Sequence, residues 1–258
     1  MLEKILEVSA LAGEVVRSGY RQKIEIEYKT NDSNLVTEID KKSEKLIVDY
    51  ISKNFPAHGI LAEEGSDKNR GSEYLWVIDP LDGTTNFAHG LPIFSVSIGL
   101  MKNGEIIAGV VNDVMRGKIY YAEKGAGAFE GGRKLAISKN DTLKHSLLVT
   151  GFPYDIADNP GHALEIFVDF IKRARAVRRL GSAAIDFCFV ADGIFDAFWE
   201  VHLHPWDICA GKLLVEEAGG IVTDFSGNET DIFTKQVLAS NRLVQDEIVS
   251  VIKPYFKA

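Results

Sequence analysis

Four acidic residues stand at the ends of expected strands or the start of an expected helix. Trp76-Val77-Ile78 runs into Asp79, and Pro80-Leu81 separates that residue from Asp82. Gly59-Ile60-Leu61-Ala62 runs into Glu63. Asp207 follows Pro205-Trp206 at the start of a helical pattern, where proline suits the first position. Two carboxylates three residues apart on a partly desolvated strand end repel, and a shared cation relieves the repulsion. A donor set made only of oxygen suits Mg²⁺, Mn²⁺ or Ca²⁺, and the turn after Asp79 could aim the Leu81 carbonyl at the same ion. Gly83-Thr84-Thr85-Asn86 comes next. If a helical turn starts there, its free N–H groups form an anion site. Carboxylate-held cations beside such a turn are what a phosphate ester needs.

Plainer readings exist for each. Asp79 and Asp82 are common turn and cap residues on spacing alone. Asp207 could do no more than offset a helix dipole, worth roughly 0.3–1 kcal/mol. Glu64 reads as a solvated member of an acidic turn, whereas Glu63, next to its strand, is better placed to point into a site.

Other motifs fail on their own terms. His202-x-His204 has the period of two residues on one strand face, and no further histidine cluster supports zinc. Gly127 to Lys134 nearly matches a P-loop, but Arg133 stands where lysine belongs and Lys134 where Ser or Thr should hold a cation. It reads better as a glycine-rich hairpin. Gly-x-Ser-x-Gly is absent. Lys172 to Arg179 carries five cations in eight residues. It reads as a helix end followed by a solvated strand, with an anion contact or a subunit interface as the functional alternatives.

The elements that must position these groups follow from periodicity. Helices are expected over 2–18, 37–55, 161–174, 182–191, 205–218 and 242–253. Strands are expected over 24–28, 59–62, the run ending at Asp79, 94–102, 105–113, 118–123, 127–135, near 145–150, 176–180, 194–199, 220–224 and 236–239. Pro80 should end the ladder of its strand. Asn103-Gly104 is a strong hairpin signal. Lys29 to Asn34 is a polar loop, and 66–73 reads as a mobile one. Helices layered on mixed sheets are the natural packing. Residues 1–258 read as one unit with a soft boundary near 140, dividing the metal and phosphate half from a 141–258 half that carries Asp207.

Net charge is -8 and hydrophobic content 46%, ordinary for a globular chain. The acidic balance argues against a nucleic-acid or membrane binder, since both present negative surfaces. No apolar run approaches the ~20 residues of a membrane span. The start is amphipathic and lacks the apolar core of a signal peptide. Cys188 and Cys209 form no Cys-x-x-Cys pair and read as reduced packing thiols. A cytoplasmic chain is the expectation.

Taken together these segments resemble the inositol monophosphatase family, in the lithium-sensitive, magnesium-dependent phosphatase superfamily. Trp76 to Phe87 resembles its first signature. Trp206-Asp207-Ile208-Cys209-Ala210-Gly211, continued by Glu217-Ala218-Gly219-Gly220, resembles its second. The resemblance spans nearly the whole chain, and Cys209 replaces a common alanine. It implies a layered α/β/α/β/α sugar-phosphatase fold and hydrolysis of a phosphate monoester. It also implies two or three Mg²⁺ per site, with Mn²⁺ able to substitute and Ca²⁺ and Li⁺ inhibitory. By resemblance Glu63, Asp79 and the Leu81 carbonyl bind a first ion, and Asp79, Asp82 and Asp207 a second. Thr84 and Glu63 orient water. Asp82, Gly83, Thr84 and Thr85 meet the substrate, the Gly83 and Thr84 amides holding its phosphate. Ala183 and Glu200 contact the remainder. Lys29 and Asp40 match an outer pair near a weaker metal.

The implied partners are a small phosphate ester and a second copy of the chain as a homodimer. The implied substrate is inositol monophosphate. Alternatives are fructose 1,6-bisphosphate or a broader sugar phosphate, NADP, histidinol phosphate or a 3′-phosphoadenosine phosphate. A protein- or RNA-binding scaffold is the rival from another class. Phosphate monoesters hydrolyse so slowly that catalysis can supply up to ~10²¹-fold. Two ions roughly 3.5–4 Å apart can do this without a covalent nucleophile.

Overall fold

The structure, a computed structural model, describes residues 1–256 apart from Thr30 and Ser33. Those two positions of the expected polar loop and the last two residues of the chain therefore lie outside the described residues. In chain order the elements are α1 (Leu2–Gly19), β1 (Ile26–Tyr28), β2 (Leu35–Thr37), α2 (Glu38–Asn54), β3 (Gly59–Ala62), β4 (Tyr74–Asp82) and α3 (Thr84–Ala88). Then come β5 (Ser95–Lys102), β6 (Glu105–Asp113), β7 (Lys118–Glu123), β8 (Gly127–Glu130), β9 (Arg133–Lys134), β10 (Leu147–Thr150), α4 (Ala163–Arg173) and β11 (Ala176–Arg178). The chain closes with α5 (Ala183–Ala191), β12 (Ala197–Val201), α6 (Pro205–Glu217), β13 (Ile221–Thr223), β14 (Gln236–Ser240) and α7 (Gln245–Ile252).

Period-two burial sets the layers. Trp76 and Ile78 turn to one face of β4 and pack with Ile5, Val8 and Ile47 of α1 and α2. Val77 turns to the other face and joins α5, α6 and the inner side of the second sheet. A third core unites Leu148, Trp199 and Leu238 with α4 and α7. The result is α1–α2, a seven-stranded sheet in the order β3-β4-β5-β6-β7-β8-β9, α5–α6, a five-stranded sheet in the order β11-β10-β12-β14-β13, and α4–α7. This is the expected α/β/α/β/α layering. Both sheets are mixed: β3–β4, β10–β11 and β10–β12 are parallel and the other pairs antiparallel. The middle helices are covered on both sides, which is why α5 is apolar nearly all round.

Several expectations need correcting. β4 does not end at Pro80: it continues to Asp82, with a register shift between Asp79, opposite Ser97, and Asp82, opposite Ser95. The shift inserts one extra residue on β4, and such a bulge accommodates a proline that cannot donate. It also puts Asp79 and Asp82 on one side, because residues three apart in an unbroken strand point to opposite faces. The strand expected over 127–135 is a hairpin, broken at Gly131 and Gly132 with φ of 56° and 92°. That agrees with the glycine-rich hairpin reading of the same segment. β2 was not foreseen, and β1 is exposed throughout instead of alternating. Asn103 and Gly104 take φ of 50° and 84°, as a primed hairpin turn requires.

The second signature has a structural tail. Glu217 accepts the amides of Gly125 and Gly127 at 2.7 and 2.8 Å and so ties the end of α6 to the turn before β8. Among the described residues no helix is long and apolar enough to cross a membrane.

Candidate active site

The bulged end of β4 meets the first turn of α6. One carboxylate oxygen each from Asp79, Asp82 and Asp207 lie within 4.8 Å of one another. The N–H of Leu81 donates to Asp79 Oδ1 at 3.0 Å. The His204 N–H donates to Asp207 Oδ2 at 2.7 Å, in a capping box at the head of α6. Asp82 is held from across the fold. Ser182 Oγ donates to its Oδ2, as do the Ala184 amide at 2.9 Å and Ser95 Oγ at 3.2 Å, while the Ala183 amide reaches Oδ1 at 3.2 Å. The start of α5 thus serves the aspartate before any substrate arrives.

Burial is the first cause of the electrostatics here. It pushes Asp79 well above the usual carboxylate range, and the charges of Glu63, Asp82 and Asp207 add to it. Burial and then Glu63 do the same to Asp207. Asp82 rises to about 6 although its Ser182 and Ala184 bonds pull it down. Acids so placed resist ionising together unless a cation joins them. An all-oxygen, mutually repelling set is suited to a hard divalent ion. These three aspartates could hold one.

The fourth expected ligand stands beside them. Glu63 adjoins β4 through its amide, which donates to Ile78 O at 3.2 Å, and its Oε1 accepts Lys29 Nζ at 2.8 Å. Lys29 also reaches Glu64 Oε1 at 2.5 Å. Glu64 is therefore not the solvated turn residue expected from sequence: its side chain is 7% exposed, and burial raises it to about 7. Asp40 does not pair with Lys29 but serves Thr84. Its Oδ1 lies 2.8 Å from Thr84 Oγ1, which also lies 3.0 Å from Leu81 O. Its Oδ2 accepts the amide and hydroxyl of Thr37, so one buried carboxyl caps α2 and anchors Thr84.

Gly83 has φ of 91°, and a Cβ there would come within 3.0 Å of Ile93 O and 3.1 Å of Gly181 O. Only glycine joins β4 to α3 in this way. The first helical bond, Phe87 N–H to Gly83 O, leaves the amides of Thr84 to Asn86 ahead of it.

A cleft of about 1280 Å³ opens onto this end of the sheets, lined by Asp82, Gly83, Thr85, Ala183, Glu200 and Asp207 among others. Asp79, Leu81, Thr84, Glu63, Lys29 and Asp40 do not line it. Glu200, on β12, is buried and pushed up to about 8 by that burial. Its carboxyl sits against the bare backbone of Gly151, where a Cβ would come within 2.2 Å of Glu200 Oε2.

Sequence reading missed Ser95, Ser182 and Ala184 as supports of Asp82, and Arg179 and Asp186 as cleft residues. A serine before an apolar helix was a legible N-cap signal for Ser182, though not for its partner. The five cations of the basic cluster are exposed, and Arg179 alone of them lines the cleft. The two rejected histidines have ordinary partners: His202 Nδ1 lies 3.2 Å from Asp155, and His204 stacks on Trp206 at 4.9 Å.

The raised acids have a consequence for metal-free protein. Glu200 near 8, and Asp82 and Asp40 near 6, bind protons more tightly in the fold than in the unfolded chain. Their contribution to stability is fully present below about pH 4 and is lost as pH rises through about 6 and then about 8. The Tm of chelated protein, followed by circular dichroism, should therefore fall between about pH 5 and about pH 8.5. A Tm that climbs over that window would contradict this electrostatic picture.

A layered α/β/α/β/α fold with three aspartates, two buried and one half-buried, converging under a glycine–threonine turn defines a phosphoric monoester hydrolase. The sequence profile of the inositol monophosphatase family matches residues 1–255, and the chain belongs to that family. It is 43% identical over 261 residues to the phosphatase IMPL1, chloroplastic, of Arabidopsis thaliana, covering 98% of this chain and 70% of the relative. It is 43% identical over 227 residues to the fructose-1,6-bisphosphatase/inositol-1-monophosphatase of Thermotoga maritima, covering 88% and 86%. The solved extragenic suppressor protein suhB of Bartonella henselae superposes with a TM-score of 0.92 at 34% identity, covering 97% of each chain.

Proposed function

We propose that this chain hydrolyses myo-inositol monophosphate to inositol and phosphate, with Mg²⁺ as the working cation. The observation that carries the reading is the convergence of Asp79, Asp82 and Asp207 within 4.8 Å. These three, with Glu63 and the Leu81 carbonyl, would hold Mg²⁺. When bound, the ion supplies Lewis acidity toward the phosphoryl oxygens and acidifies water.

The chain's own groups do the rest. Thr84 has one proton and two acceptors in reach, Asp40 Oδ1 at 2.8 Å and Leu81 O at 3.0 Å. With that proton committed, its oxygen accepts a hydrogen from the attacking water and turns a water lone pair toward phosphorus. Glu63, fixed through Oε1 by Lys29, takes the water's second proton, which returns through solvent to the ring oxygen that leaves as the hydroxyl of inositol. The Gly83 and Thr84 amides hold the phosphate. The Ala183 backbone and Glu200 meet the ring hydroxyls.

A second substrate has support of its own. The cleft, at about 1280 Å³, exceeds the roughly 300–1,000 Å³ of ordinary small-molecule pockets. The Thermotoga maritima relative is named for both fructose-1,6-bisphosphatase and inositol-1-monophosphatase. Phosphate release from inositol 1-phosphate and fructose 1,6-bisphosphate, side by side under saturating Mg²⁺, decides the scope. A clear preference for the inositol ester is the expected result. Comparable rates would mean a broader sugar phosphatase, and release from neither would overturn the substrate assignment.

A further inference from the structure

Asp186 is an unexpected residue in its helix. Its neighbours on α5 are Ala183, Ala184, Ile185, Phe187, Cys188, Phe189, Val190 and Ala191, all apolar. The aspartate is 1% exposed, and its Oδ1 is buried with no hydrogen-bond partner. An apolar side chain there would avoid burying an unpaired acid. A group kept at a cost to stability inside a cleft marks a site.

Its place on the helix says what it could meet. Ser182 and the Ala183 and Ala184 amides hold Asp82 at the phosphate end of the cleft. Asp186 is three residues beyond Ala183, on the same helix face and about 5 Å further along the axis. Ala183, Asp186 and Glu200 all line the cleft. The charges that act on Asp186 are those of Glu200, Asp82 and Arg179. The cleft wall beyond the residues that hold Asp82 therefore offers two carboxyl groups, Asp186 and Glu200. The bare backbone of Gly151 leaves the room that the second of them occupies.

We infer that Asp186 is a specificity residue: it hydrogen-bonds a ring hydroxyl of the bound phosphate ester and, with Glu200, forms a two-carboxyl clamp for neighbouring hydroxyls. The ligand class is a polyol or cyclitol phosphate. Two carboxyls converging on adjacent hydroxyls satisfy both, and a substrate without hydroxyls leaves them unpaired, which is how a polar site discriminates. This inference rests on the phosphatase reading above.

The test compares wild type, Asp186→Ala and Asp186→Asn on two esters at saturating Mg²⁺: inositol 1-phosphate, and p-nitrophenyl phosphate, which has no hydroxyl. For Asp186→Ala, KM for inositol 1-phosphate should rise by about 10- to 100-fold, with kcat changed less than about twofold. Both parameters for p-nitrophenyl phosphate should stay at wild-type values. Asp186→Asn, which keeps an acceptor and a donor, should recover part of the loss, with a Tm no lower than wild type. Equal losses on both esters, with a lowered Tm, would assign Asp186 to the scaffold and overturn the inference. Unchanged kinetics on both would overturn it too. A wild-type protein silent on both esters would instead bring down the phosphatase reading beneath it.

Discussion

Asp82→Asn is expected to lower kcat/KM for inositol 1-phosphate by about 10³-fold or more, because several kcal/mol of charge stabilisation would depend on the ion it is proposed to hold, at 1.36 kcal/mol per tenfold. The substitution keeps the shape of the side chain and removes its charge. It also turns an acceptor into an amide N–H₂ facing donors, since Ser95, Ser182, Ala183 and Ala184 all donate to this carboxylate. A second readout is independent of turnover. Mg²⁺ at about 100 times its Kd should stabilise the wild-type fold by about 2.7 kcal/mol, seen as a raised Tm. The same Mg²⁺ concentration should leave the Tm of Asp82→Asn nearly where it was. A variant with wild-type kcat/KM, or one whose Tm still climbs fully with Mg²⁺, would remove Asp82 from the metal set.

Thr84→Ala is the second large effect. It should lower kcat by about 10²- to 10⁴-fold, the range of a positioned proton-transfer group. Thr84 lies between the Asp40 carboxyl and the Leu81 carbonyl, so its oxygen is oriented by two elements at once. Losing it also strips a donor from Asp40 Oδ1 in a buried place, at a cost of about 1–3 kcal/mol to the fold. Thr84→Ser keeps the hydroxyl and should restore most of both activity and stability. Thr84→Val keeps the volume without the hydroxyl and should resemble alanine in kcat. If serine and valine behaved alike, the hydroxyl would have no part in the reaction.

Much of this site was legible from local pattern. Trp76-Val77-Ile78 had to be a buried strand, and Asp79 and Asp82 at its end had to be accounted for. Pro205 announced the first turn of α6, and the structure puts Asp207 there. What local pattern could not supply was the long-range partner. Ser182 and Ala184 meet Asp82 across about a hundred residues, and nothing near either segment names the other. Glu64 looked solvated because its neighbours are charged; Lys29, arriving from the β1–β2 connection, covers it instead. Asp79 and Asp82 share a face only because of the bulge, and in sequence Pro80 signals a strand stop as readily as a bulge. β2 escaped because a three-residue strand leading straight into α2 is too short for its period to show. Asp186 escaped for a related reason: the helix around it reads as pure core, and one acid in an apolar run gives no sign of which way it faces.

Asp79, Asp82 and Asp207 are proposed to hold the cation that makes this chain a phosphatase. The most direct measurement is phosphate release from inositol 1-phosphate by chelated protein as Mg²⁺ is titrated back. No turnover is expected in chelator, followed by a saturable recovery with Mg²⁺ that Asp82→Asn does not share. Turnover that persists in chelator, or a recovery that is the same in Asp82→Asn, would contradict it.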